Sequence, residues 1–167
     1  IVTIVILFYM NYFTRLFGFG FLTWVVPFVV SFAFFDVQTQ QMTIDETFFK
    51  SIMIVTGGLV GTVLLVLFFK TVEKAYLIQG LIVGLSWLGI NWALDLMMVW
   101  RGGFDMTYGE YFQEIGLRYL LILMYALGMG CVLQIKSSKI ERSHFVKTSQ
   151  SKQNLDGDQD DVSNEEE

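Results

Sequence analysis

The chain has 167 residues, 54% of them apolar and only 16% charged, against roughly 25% charged in a soluble domain, and its mean hydropathy is +0.54. Its net charge of −5 belongs to residues 148–167, which carry seven acids and one base, so the rest of the chain is near +1 and shows no basic face for nucleic acid. One cysteine, Cys131, and one histidine, His144, leave nothing to build an internal disulfide, a CxxC pair, a bis-histidine haem, a zinc cluster or a Ser–His or Cys–His nucleophile pair. No cofactor or metal is expected, and an enzymatic role is not supported.

A membrane helix needs about 20 mostly apolar residues to cross roughly 30 Å of hydrocarbon. The chain opens on Ile1, with neither a charged run nor a small-residue cleavage site near it. No secretory leader is read, and the expectation is that some residues precede Ile1. Residues 1–14 are the first expected helix, spanning if upstream residues extend it or if Arg15 snorkels to the headgroups. Residues 19–35 are the second, with Pro27 expected to kink it. Residues 36–50 are polar and read as a loop. Residues 51–69 carry no charge and form the clearest span, closed by Lys70, Glu73 and Lys74.

The fourth expected helix is 75–100, with Trp87, Trp92 and Trp100 placed toward an aromatic belt at its end. Residues 101–110 are loop, and 111–118 form a short amphipathic run into the fifth helix, 115–135. Residues 136–147 are basic. The segment 148–167 has too few apolar residues to bury anything and reads as a disordered acidic tail. A buried helical core of a soluble protein is disfavoured by four or five runs of near-span length in so short a chain. The fold expected is therefore an all-α polytopic transmembrane bundle of about five helices in residues 1–147.

A shift of 59 residues places VTIVILFY (2–9) on GTVLLVLF (61–68) and SFAFFD (31–36) on INWALD (90–95). With a five-residue insertion, MTIDETFF (42–49) then falls on MTYGEYFQ (106–113). That suggests a parallel internal repeat in a 2+2+1 arrangement. Helices one, three and five end on one side, with Arg15, Lys70, Lys74, Lys136, Lys139, Arg142 and Lys147. The other side has only Lys50, Arg101 and Arg118 beside seven acids. Basic excess marks the cytoplasm. The C-terminal tail is thus expected inside, the N-terminus outside, and the protein in the plasma membrane.

Ionisable groups within a span are functional candidates, because lipid does not solvate them. Asn91 and Asp95 lie four apart on the fourth helix, and Glu110, Glu114 and Arg118 are spaced four apart leading into the fifth. Asp36 is the repeat-mate of Asp95, and Glu46 of Glu110. Tyr108, Tyr111 and Tyr119 lie nearby in sequence. These residues read either as a site for a cation, a proton or a polar substrate, or as a structural Asp95–Arg118 ion pair with Glu114 at helical spacing from Arg118 and Asn91 as an anchor. The Gly57–Gly61, Gly80–Gly84 and Ala126–Gly130 spacings permit close helix packing, and Met97, Met98, Met124 and Met129 read as packing.

Two functions follow. One is a transporter-like or channel-like permease. The alternative is a non-catalytic accessory or structural protein that binds partner helices. Five helices are few for a monomeric carrier, so the partners expected are lipid and either a second copy or another membrane protein.

Overall fold

The computed structural model describes residues 11–36, 41–102 and 106–163. Among these the fold is all-α, with five helices. They are α1 (Tyr12–Ser31), α2 (Glu46–Phe69), α3 (Tyr76–Trp100), α4 (Tyr108–Glu114) and α5 (Leu120–Ser163). A 3₁₀ turn, Phe32–Phe34, ends α1, and another, Gly116–Tyr119, leads into α5. Between α1 and α2 two short strands, β1 (Phe35–Asp36) and β2 (Gln41–Met42), pair antiparallel with Phe35 opposite Met42. The chain divides into two units, residues 1–131 and 132–167, and the described part of the second, to Ser163, is the remainder of α5.

Four stretches are long and apolar enough to cross a membrane: Tyr12–Phe34, Glu46–Phe69, Tyr76–Trp100 and Gly116–Ser143. Composition and length thus support a multi-pass membrane protein with four candidate spans rather than five. The helix expected at 1–14 lies, for residues 1–10, outside the described residues. Residues 12–14 belong to α1, which runs without a break through Arg15 and Gly18. The expected interruption before residue 19 does not occur, because one long flexible cation does not end a helix and glycine is tolerated within spans. Pro27 sits inside α1 and has no N–H to offer the carbonyl of Thr23.

The start of α2 lies inside the expected 36–50 loop. Asp45 caps it by accepting from the amides of Thr47 at 2.9 Å and Phe48 at 3.2 Å, which uses up two otherwise orphan donors. The first turn of α2 therefore contains Glu46 and Lys50, which pair at i,i+4 spacing. The amphipathic run expected at 111–118 is α4 plus the second 3₁₀ turn, so α5 begins at Leu120 rather than near 115. The backbone of α5 then stays helical to Ser163, through most of the segment expected to be disordered. No proline follows Pro27 anywhere in the chain, so no strong stop signal closes that helix.

Within residues 1–131, α1 packs against both α2 and α3. Trp87, Phe68, Leu65, Val83 and Tyr111 are fully buried. Trp87 meets Phe68 edge-on, with ring centroids 6.4 Å apart. It is therefore a core residue and not part of an interfacial belt, whereas Trp100 is exposed. Two of the three small-residue motifs meet. A Cβ on Gly80 would fall 2.6 Å from the carbonyl oxygen of Ala126, and one on Gly130 would fall 2.6 Å from that of Tyr76. Here α3 and α5 cross backbone to backbone, antiparallel, and no larger residue fits. Gly57, by contrast, has nothing within 4 Å of such a Cβ.

The structure does not show the internal repeat. Asp95 is buried in the body of α3, while its proposed mate Asp36 ends β1 beyond the first span. Asp45 caps α2, whereas the residue capping α4 is Thr107, the counterpart of Thr43 and not of Asp45. The matched motifs therefore begin their helices two residues out of step.

Candidate functional site

The site grows from the α1–α3 interface. Tyr12 Oη donates to Gln79 Oε1 at 2.7 Å, and Trp87 Nε1 donates to the carbonyl of Leu16 at 2.8 Å. Asn91 Nδ2 donates to Thr23 Oγ1 at 2.8 Å, and Trp24 Nε1 donates to Asp95 Oδ1 at 2.6 Å. Partners along this ladder are separated by a near-constant 67–71 residues, the signature of two helices running parallel. Close approach depends on Gly20, where a Cβ would lie 2.6 Å from Ile90 Cδ1 and 2.8 Å from Trp87 Cδ1.

Asp95 ends the ladder and is only 4% exposed. Besides Trp24 it takes two hydroxyls on Oδ2, Tyr111 at 3.1 Å and Tyr119 at 2.8 Å. Tyr111 comes from α4 and Tyr119 from the following 3₁₀ turn, so three separate elements converge on one carboxylate. Two features hold that turn over Asp95. Trp92 Nε1 donates to the carbonyl of Gly116 at 2.9 Å, and the Trp92 ring meets Phe112 edge-on. Burial, and then the charge of Asp95, pushes the Tyr111 hydroxyl well above its ordinary value, so it remains a donor.

Asn91 is fully buried one turn before Asp95. Both of its N–H bonds are used, one on Thr23 and the other on the carbonyl of Trp87 at 2.8 Å. Thr23 in turn donates to the carbonyl of Gly20 at 2.6 Å. The Asn91 Oδ1 atom is buried with no partner among the described residues. Asp95 likewise pairs with no basic side chain among the described residues. Its three donors are all neutral.

Of the six residues expected to form a site, the structure brings together only Asn91 and Asp95. The Asp95–Arg118 ion pair does not form. Arg118 is half-buried beside Tyr119, whose hydroxyl takes the place at Asp95 that the guanidinium was expected to occupy, and Arg118 makes no ion pair with a described residue. Glu114 pairs with Lys50 across 3.0 Å, not with Arg118, and so ties α4 to α2. Glu110 closes a capping box on α4. Its carboxylate accepts from the Thr107 amide at 2.7 Å and hydroxyl at 2.9 Å, and these bonds hold its carboxyl below the usual range. Asp36 lies on β1 opposite Gln41.

Sequence reading left out Thr23, Trp24 and the core role of Trp87. A signal for them does exist. Tyr12, Leu16, Gly20 and Trp24 follow one another at four-residue steps on α1, and Trp87, Asn91 and Asp95 do so on α3, so each helix carries a stripe of hydrogen-bonding and close-approach positions.

Among the described residues, no three His, Cys, Asp or Glu side chains are grouped so that they could hold a metal ion. The chain matches no protein family, no curated protein and no solved structure.

Proposed function

We propose that this chain is a small permease-like membrane protein whose functional centre is Asp95. The observation carrying this reading is a carboxylate 4% exposed inside an apolar bundle, held by three neutral donors and lacking a basic partner among the described residues. The structural reading of the cluster rested on a pair with Arg118. Without that pair the negative charge has hydrogen bonds but no counter-charge, a costly arrangement in lipid unless a cation or proton comes and goes.

A second reading has its own support. The shell around Asp95 is closed from three elements, which also suits an accessory protein held together by a polar latch. Its broad apolar surface, including Ile54, Val55, Leu59 and Val63 on α2, would then face partner helices as well as lipid. A second copy or another membrane protein is the partner proposed for either reading.

Successive spans alternate in direction. That puts the start of α1, the α2–α3 turn and the basic end of the last span on the cytoplasmic side of a plasma membrane, with Asp95 nearer the outer face. Purified protein in sealed vesicles carrying a trapped ion-sensitive dye tests the permease reading. Flux of a monovalent cation or of protons is expected, and Asp95→Asn should abolish it. Vesicles that stay tight with a well-folded protein would favour the accessory reading.

A further inference from the structure

We infer that Asp95 and Asn91 together bind one hard monovalent cation, an alkali ion or a hydronium, in the seam between α1 and α3. This deepens the permease reading, on which it rests, by naming what the centre takes.

Two independent observations point to a ligand. Asp95 is a buried carboxylate with no counter-charge among the described residues. A carboxylate offers about four lone-pair sites, and three hydrogen bonds leave one of them unused. The second observation is Asn91 Oδ1, fully buried and without a partner among the described residues. An orphan amide oxygen in a protein core is expensive, and a cation or a proton donor is what such an atom lacks. The two residues are i and i+4 on α3, so they share a face about one turn apart. Both address consecutive residues of α1, Thr23 and Trp24.

The donor set fixes the class of ligand. Asp95 carboxylate, Asn91 Oδ1 and Thr23 Oγ1 are all oxygens, which suit hard cations and not copper or zinc. They supply one negative charge in all. A divalent ion would leave the centre net positive in lipid, and calcium and magnesium sites ordinarily draw on more carboxylates and on water. A single positive charge brings the seam to neutrality.

Among the described residues, the groups that face Asp95 come from α1, α4 and the 3₁₀ turn. Trp24 from α1 does not titrate. Tyr111 from α4 and Tyr119 from the 3₁₀ turn are phenols, ordinarily protonated below about pH 10. The guanidinium of Arg118 lies within electrostatic reach of Tyr119. Asp95 is the one carboxylate among these groups, and it is the group that the acid arm of the test addresses.

The experiment is thermal unfolding of the full chain in detergent. One arm replaces N-methylglucamine chloride by sodium chloride at constant ionic strength and pH 8. The other lowers the pH from 8 to 5 without sodium. In at least one arm the wild-type midpoint should rise saturably, by about 3 °C or more at tenfold excess over half-saturation. A response to sodium identifies an alkali ion, and a response to acid alone identifies a proton. Asp95→Asn should lose the response in either case. Should that variant fold poorly, Asp95→Glu keeps the charge but moves it one methylene along the seam, so its half-saturating cation concentration should rise at least tenfold. No rise in the wild type in either arm, an undiminished rise in Asp95→Asn, or an unchanged half-saturating concentration in Asp95→Glu would each overturn the assignment. Vesicle flux separates the two ideas. A melting response without flux leaves the cation site standing and removes the permease, and flux with an Asp95-independent response does the reverse.

Discussion

Replacing Gly80 and Gly57 by alanine applies the same chemical change to two helices and should give opposite results. A methyl on Gly80 would sit 2.6 Å from the Ala126 carbonyl oxygen and 3.3 Å from its carbon, atoms of the facing backbone that no rotamer change can move. To restore ordinary contact near 3.4 Å, α3 and α5 would have to part by roughly 0.8 Å along that line, loosening neighbouring contacts as well. Overpacking of this kind costs about 1–3 kcal/mol. At Gly57 the same methyl meets nothing within 4 Å. There only the gain in helix propensity remains, about 0.5–1 kcal/mol in favour of alanine. The propensity gain is common to both helices, so the two variants should differ by the overpacking cost, about 1–3 kcal/mol, or roughly 2–12 °C in midpoint for a chain of this size. Thermal unfolding in a mild detergent, followed by circular dichroism, measures this directly. Gly130→Ala should behave like Gly80→Ala, since its methyl meets the Tyr76 carbonyl oxygen at 2.6 Å. If all three variants fell within 1 kcal/mol of each other, the backbone-to-backbone crossing would be refuted.

A double-mutant cycle between Trp24→Phe and Asp95→Asn should show a coupling of about 1 kcal/mol, whereas Arg118→Gln should add independently to Asp95→Asn because the two side chains do not pair. Thr107→Ala should destabilise the start of α4 by about 1 kcal/mol, read as faster amide exchange in residues 108–114. The same amides carry a pH dependence. The Glu110 carboxyl is held below its unfolded value, so its contribution is complete above that value and disappears as pH falls through the lower folded one; exchange protection that grows in acid would contradict the capping box. For topology, exposed Cys131 is first replaced by serine; a cysteine at Gln113 should then react with an impermeant reagent in intact cells and one at Glu73 should not, and the reverse pattern would invert the orientation.

The spans were legible because apolar length is a local property: α2 and α3 end at Phe69 and Trp100, as composition indicates. The caps were less so. Asp45 reads equally as loop or cap until the amides of Thr47 and Phe48 are seen to point at it. At the site, Asn91 and Asp95 stood out because polar groups are rare in a span. Their partners did not, since Trp24 and Thr23 lie about 70 residues away and their relevance depends on which faces of α1 and α3 meet. Arg118 was misassigned for a related reason. Opposite charges at similar depth invite pairing on paper, but Tyr119, the next residue, carries the group that the backbone actually aims at Asp95.

The spacing of the α1–α3 ladder bears on how the protein is made. Ribosomes add about 5–20 residues per second, so α1 waits roughly 4–14 s in the bilayer before its partner is synthesised. It is apolar enough to wait alone. The later helix is not so well placed: α3 is the least apolar of the four candidate spans and brings Asn91 and Asp95 with it. In a membrane, α3 is therefore expected to integrate more readily once α1 is in place, because the indole of Trp24 and the hydroxyl of Thr23 can receive polar groups that lipid does not solvate. A lesion in α1 should accordingly appear first as a failure of α3 to integrate, well before any defect in the finished protein.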